Sequence, residues 1–148
     1  MKNIPRERRA MMIDLETEFG IRVNKRLMED EVIWFTTVSP NGTPAPNPVW
    51  FYWDGESIIV YSQPGSYRVR NIEHNPRVSL NLEGADVLGN NVIIIHGEAR
   101  LHPGYKKLHT GFLEKYIRHE SSLQMKMADI ASSYSVEIRV KPLRVRGE

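Results

Sequence analysis

The chain contains no cysteine among its 148 residues, so it has neither a disulfide framework nor a thiolate metal or redox site. That suits a reducing cytoplasm, the expected compartment. No apolar run approaches the ~18 residues of a membrane span, and the opening M-K-N-I-P-R-E-R-R-A-M-M lacks the continuous apolar core of a secretion signal. A soluble intracellular protein with no membrane partner is expected. An excess of either charge is also missing: 20 Lys and Arg stand against 18 Asp and Glu, for a net +2, with the cations interspersed among acids. Nucleic-acid binders show a concentrated basic face, so no such partner is expected. The G-x-S-x-G elbow, H-E-x-x-H, the Walker loop and G-x-G-x-x-G are all absent. Hydrolase, zinc protease, P-loop and dinucleotide readings therefore lack support. His74, His96, His102, His109 and His119 make no recognised metal spacing, and no metal is expected.

What is present suits one domain, residues 1–148, with a helical segment over 1–29. Hydrophobic residues make up 41% of the chain, enough for a single core at this length. Pro5 to Glu29 carries apolar residues at near-helical spacing interrupted at Gly20, which predicts two short helices. Val32–Val38 reads as a strand, Asn41-Gly42 as a hairpin turn, and Pro46–Trp53 as the return strand. Asp54-Gly55 and a strand over Ser57–Ser62 extend this to a meander. Val78–Leu82 is a further strand, Glu83–Asn91 a polar loop, and Val92–Leu101 a long strand in which Gly97 marks a bend or bulge. Pro103 is expected to open a helix whose stripe is Tyr105, Leu108, Phe112 and Tyr116, and Ser133–Val145 closes the chain as a strand. Strands without βαβ alternation argue for an antiparallel barrel, mainly β in an α+β class.

The stretch V-Y-S-Q-P-G-S-Y-R-V-R-N-I-E-H-N-P-R-V, Val60 to Val78, reads as strand, tight loop, short helix and strand. Ser66 is the expected N-cap, Tyr67 to Arg70 the first turn, and Asn75-Pro76 the stop. Such a start presents unpaired N–H groups and the positive end of the helix dipole beside Arg68 and Arg70, which together suit a phosphate. The same residues also fit a surface helix with solvated arginines.

That run, preceded by P-x-P-V-W-F-Y-W-D-G at Pro46–Gly55, resembles the split β-barrel flavoproteins of the pyridoxamine 5′-phosphate oxidase-like superfamily, and within it the short branch that uses the deazaflavin coenzyme F420. The similarity runs from about Glu18 to the C-terminus. It implies a homodimeric split barrel with short helices and a cofactor at the subunit interface, F420 or alternatively FMN. It also implies that Pro48, Val49, Trp50 and Phe51 lie against the ring. Tyr61, Ser62 and Gln63, with Ser66, Arg68, Arg70 and Asn71, would hold the phosphate end. A cofactor that carries the hydride leaves no catalytic triad to find, and catalytic residues stay unassigned. The activity implied is hydride transfer to a small unsaturated or aromatic acceptor. The alternative is a flavin- or haem-binding module without redox turnover, acting as carrier, sensor or degrader. Many relatives have Lys where this chain has Arg68, which changes a point charge to a fork. The C-terminal extension typical of true pyridoxamine phosphate oxidases has no counterpart after Val145, so that activity is not expected. Arg77, Lys106 and Lys107 are candidate cations for the longer anionic tail of F420.

Overall fold

A computed structural model describes residues 13–147. Helix α1 (Glu18–Glu29) is followed by strands β1 (Ile33–Val38), β2 (Pro44–Val49), β3 (Tyr52–Trp53) and β4 (Ile58–Ser62). Helix α2 (Tyr67–His74) leads into β5 (Arg77–Leu82) and β6 (Ile93–Pro103). Helices α3 (Thr110–Tyr116), α4 (Glu120–Leu123) and α5 (Met127–Ser133) form an insert before β7 (Val136–Gly147). The strands make one antiparallel sheet of seven in the order β2-β1-β5-β6-β7-β4-β3. With the short helices this is the split-barrel α+β fold.

The hairpin expected at Asn41-Gly42 is present: Gly42 takes φ +87° and Ser39 bonds back to the Thr43 carbonyl at 2.9 Å. The expected meander is not. Pro46–Trp53 is two strands, and its halves lie at opposite ends of the sheet. Prolines at 44, 46 and 48 explain this, because successive N–H groups of a strand point to alternate sides. Ala45, Asn47 and Val49 can bond to β1, but the other side offers no donors, so β2 must be an edge. Only Trp50 and Phe51 separate β2 from β3, and so short a link spans roughly 10 Å. The sheet must therefore curl until its two ends meet.

The barrel interior holds Ile33, Phe35, Phe51, Ile58, Leu80, Ile93, Ile95 and Ile138, each fully buried. A second cluster of Ile59, Tyr61, Leu108, Phe112, Tyr116, Met127 and Ile130 lies between β4 and the insert. Every residue of β4 is buried, since one face looks into the barrel and the other meets the helices. This accounts for its unbroken apolar run.

Two other expectations, at Gly20 and at Pro103, are corrected. Gly20 does not interrupt a helix but sits in the first turn of α1, where its N–H donates to the Thr17 cap at 2.9 Å. A side chain there would strike the Asp14 carbonyl, so glycine answers a close approach rather than a break. The first of the two short helices falls largely outside the described residues. Pro103 ends β6 opposite Val136 instead of opening a helix. Tyr105 and Leu108 precede α3, in the same loop as Lys106 and Lys107.

Gly97 is where the β6–β7 register shifts. A Cβ there would lie 2.6 Å from Val140 Cγ1 and 2.8 Å from the Lys141 carbonyl oxygen. Gly97→Ala is expected to cost about 1–3 kcal/mol, measured as a lower urea midpoint with an unchanged slope.

Candidate functional site

A cavity of about 370 Å³ opens between the barrel seam and the insert. Pro48 and Val49 from the end of β2, Trp50 from the seam, Tyr61 from β4 and Arg68 from α2 form one side; Phe112, Leu123, Met125, Ile130 and Tyr134 form the other. Trp50 is fixed by stacking on Tyr116, with centroids 4.4 Å apart and planes 7° from parallel. The Tyr61 hydroxyl donates to Glu137 Oε2 at 3.1 Å and accepts the His109 N–H at 2.8 Å. Burial raises its pKa, so it stays a neutral donor. Glu137, itself buried, accepts from Arg139 Nε at 2.6 Å.

Helix α2 starts as the sequence predicts. Ser66 is the N-cap and its Oγ accepts the Val69 N–H at 3.3 Å, leaving the N–H groups of the first two helical residues outward. Arg68 is half-buried in the cavity wall, donates to Ser62 Oγ at 2.7 Å and lies 5.7 Å from the Phe35 ring centroid. Its Nε is buried without a hydrogen-bond partner among the described residues. Desolvation lowers its pKa, an energetic cost that a bound anion would relieve.

The predicted residues thus divide. Pro48, Val49, Trp50, Tyr61 and Arg68 share the cavity, with Ser62 and Ser66 next to Arg68. Phe51 points into the barrel core and is fully buried. Asn71 is buried and donates to Thr37 Oγ1 at 3.0 Å, a structural bond between α2 and β1. Gln63 and Arg70 are exposed; Arg70 lies over the Tyr67 ring at 4.9 Å, while Glu83 is taken by Trp34 Nε1 at 2.6 Å.

Two residues of the insert carry more of the site than the sequence suggested. Tyr116 Oη accepts the buried Phe51 N–H at 2.9 Å and lies 2.8 Å from the Phe51 and 2.7 Å from the Glu31 carbonyl oxygen, donating its one proton to either. Lys115 Nζ donates to the Phe51 carbonyl at 3.0 Å and sits 3.8 Å over the Phe51 ring. The signal was the i, i+4 spacing of Phe112 and Tyr116, which marks a packing stripe but not the polar end of a tyrosine. Glu31 anchors the insert through Arg118 and His119, each at 2.6 Å. Hydrogen bonds from these two hold its pKa down at about 2. Among the described residues no group of three His, Asp or Glu side chains could hold a metal ion, and no helix is long and apolar enough to cross a membrane.

Residues 21–147 match the sequence profile of the family described as Pyridoxamine 5'-phosphate oxidase. The chain belongs to the pyridoxamine 5'-phosphate oxidase family. Members of this family are flavin-binding split barrels, and the resemblance read from the sequence is correct at that level. Among solved structures, an F420 reductase is 27% identical over 84% of this chain and 96% of its own, with a TM-score of 0.65. A putative pyridoxamine 5'-phosphate oxidase from Listeria innocua is 22% identical over 88% of this chain and 98% of its own, at TM-score 0.63. A haem storage protein from Vibrio cholerae shares the fold at 14% identity, over 93% of this chain and 95% of its own, with TM-score 0.56. No curated protein matches the chain.

Burial lowers the Lys115 pKa from 10.5 to about 8. Between those values the unfolded chain holds a proton that the folded chain has released, so this group makes stability rise with pH there. Urea unfolding from pH 7 to 10.5 is expected to show that rise in the native chain and to lose it in Lys115→Met; parallel curves would contradict the assignment.

Proposed function

We propose that this chain is an oxidoreductase that binds coenzyme F420, with FMN as the alternative, and passes a hydride to a small unsaturated or aromatic acceptor. The observation that carries the reading is Arg68, a half-buried cation in the wall of an apolar cavity, with one buried N–H unpartnered among the described residues. A flavin-type cofactor joins a flat ring to an anionic phosphate, and the residues present fit both parts. Pro48, Val49 and Trp50 offer an apolar surface to the ring. Arg68, with the capped start of α2 beside it, offers a fork and backbone donors to the phosphate. The preference for F420 draws support from the R-V-R-N-I-E-H-N-P-R-V run and from the 27% identity to an F420 reductase.

When bound, the cofactor supplies the hydride. The chain binds, orients and excludes water. Trp50 is held by Tyr116, so the wall it presents does not have to be ordered when a ligand arrives. Phe112, Leu123, Met125 and Ile130 shield the cavity from the side of the insert. The Tyr61 hydroxyl is held in one orientation by its bond to Glu137. No side chain is given a catalytic role.

Apo-protein titrated with F420 and with FMN at low and moderate salt is expected to bind F420 more tightly and with the steeper salt dependence of a multiply anionic ligand. FMN binding without detectable F420 binding would reverse the cofactor. A Soret band with iron in the purified protein would favour the haem-binding alternative. Arg68→Ala is expected to weaken cofactor affinity about tenfold to a hundredfold. Exposed Arg100→Ala is the control, since Arg139 is committed to Glu137. Equal small effects of both substitutions would refute the anion site.

The family resemblance also supports a homodimer with the cofactor between subunits. Phe51 offers no apolar surface to that pairing, since it is fully buried within one chain, and Trp50 is stacked on Tyr116 of its own chain. Light scattering at micromolar concentration is expected to give twice the chain mass. A monomer that still binds cofactor would overturn the dimer.

A further inference from the structure

The pair Asn41-Gly42, which turns the β1–β2 hairpin, carries chemistry that the cavity does not use. The backbone nitrogen after an asparagine can attack the side-chain amide at Cγ, and a side chain on that following residue screens the attack. Asn41 is the one asparagine of the chain followed by glycine. The others precede proline, which has no N–H, or isoleucine, lysine, leucine, asparagine or valine. Both Asn41 and Gly42 are exposed, and a Cβ placed on Gly42 would meet nothing within 4 Å. The approach to the Gly42 nitrogen is open.

The Asn41 amide is held beside that nitrogen. Its Oδ1 accepts the Thr43 N–H at 3.2 Å, and the ring of atoms closed by this bond runs through the Gly42 nitrogen. A backbone N–H only donates, so the atom it meets is the amide oxygen and not Nδ2. The same N–H is shared with Ser39 Oγ at 3.1 Å. Thr43 Oγ1 donates to Asn41 Oδ1 at 2.9 Å, and Ser39 Oγ donates to it as well. Three donors on one carbonyl oxygen suit an oxyanion. One contact opposes the reaction: the Gly42 N–H is bonded to the Ser39 carbonyl at 2.8 Å and must leave it before the nitrogen can attack.

We propose that Asn41 is a self-modification site, converted to an acidic residue through a cyclic imide formed with Gly42 and activated by the donors of Ser39 and Thr43. Hydroxide takes the Gly42 N–H proton, and the nitrogen adds to Asn41 Cγ, so that negative charge passes to Oδ1 among its three donors. The Cγ–Nδ2 bond then breaks, and Nδ2 leaves as ammonia with a proton from water, which returns the hydroxide. A five-membered succinimide remains, and water opens it. Addition at Cγ gives aspartate, while addition at the main-chain carbonyl gives isoaspartate. An unconstrained imide opens mainly at the main-chain carbonyl, which the neighbouring amide nitrogen makes more electrophilic. In this turn the donors polarise the Cγ carbonyl instead and favour aspartate. That product keeps the turn, because its carboxylate accepts from the same groups. Isoaspartate adds a carbon to the main chain between β1 and β2, whose pairing starts at Val38 and Pro44, and so disturbs the register.

The experiment incubates the full chain at pH 7 and at pH 8.5 beside the free peptide Ser-Pro-Asn-Gly-Thr-Pro, which copies residues 39–44. Mass spectrometry with fragmentation then follows the two acidic products. Conversion is expected at Asn41 and at no other asparagine, faster at the higher pH, with aspartate the main product in the protein and isoaspartate in the peptide. Thr43→Val keeps a β-branched side chain and loses one donor, and it is expected to slow conversion several-fold and raise the isoaspartate share. Thr43→Ser restores the hydroxyl and is expected to recover the native rate and product ratio. An Asn41 that stays intact while the peptide converts overturns the proposal. So does conversion that Thr43→Val speeds or leaves unchanged, since the turn would then protect Asn41 or play no part.

Discussion

The structure depends on how two residues cross a gap. Trp50 and Phe51 carry the chain from one end of a seven-stranded sheet to the other, and in crossing they leave the ladder that would have bonded their backbone. Phe51 is fully buried there, so its N–H and C=O need partners that no strand can supply. The insert between β6 and β7 provides them. Tyr116 accepts from the N–H, and Lys115 reaches the carbonyl. The ring of the same Tyr116 lies flat against Trp50. One side chain therefore both satisfies the closure and sets the wall of the cavity.

This coupling explains why the cavity sits where it does. β4 is covered on one face by the barrel interior and on the other by the insert, and the gap left between the insert and the seam is the cavity. Its polar groups are few and each is tied down: Tyr61 to Glu137 and His109, Arg68 to Ser62. Glu31 clasps the far end of the insert through Arg118 and His119. A shape held this firmly before ligand arrives needs little ordering afterwards.

Local signals in the chain were legible, and long-range ones were not. The α2 cap at Ser66, its stop at Asn75, the Asn41-Gly42 turn and the Gly97 irregularity all follow from the conformational limits of single residues. They could be read without knowing what packs against them. Of the cavity residues found from sequence, Pro48, Val49, Trp50 and Tyr61 came through resemblance, while Arg68 could also be read from the helix start that Ser66 caps. What stayed hidden was pairing. A run such as Pro46–Trp53 has the composition of one strand, and only its partners reveal that it is two. Lys115 and Tyr116 were hidden for the same reason, since their partner lies 64 or 65 positions away and is a backbone group with no sequence signature. Pro103 misled because proline can either open a helix or end a strand, and pairing with Val136 decided between them.

The alternate prolines of β2 have a consequence for crowded solution. An edge strand with a complete row of free donors is a template on which another chain can lay its own strand, the first step toward ordered aggregates. With Pro44, Pro46 and Pro48 along one side, that edge offers carbonyls but no N–H groups, so an incoming strand finds only half of each ladder rung. The margin that closes the barrel is therefore also one that disfavours further β-extension, and copies of this protein that meet at it cannot complete a full ladder there.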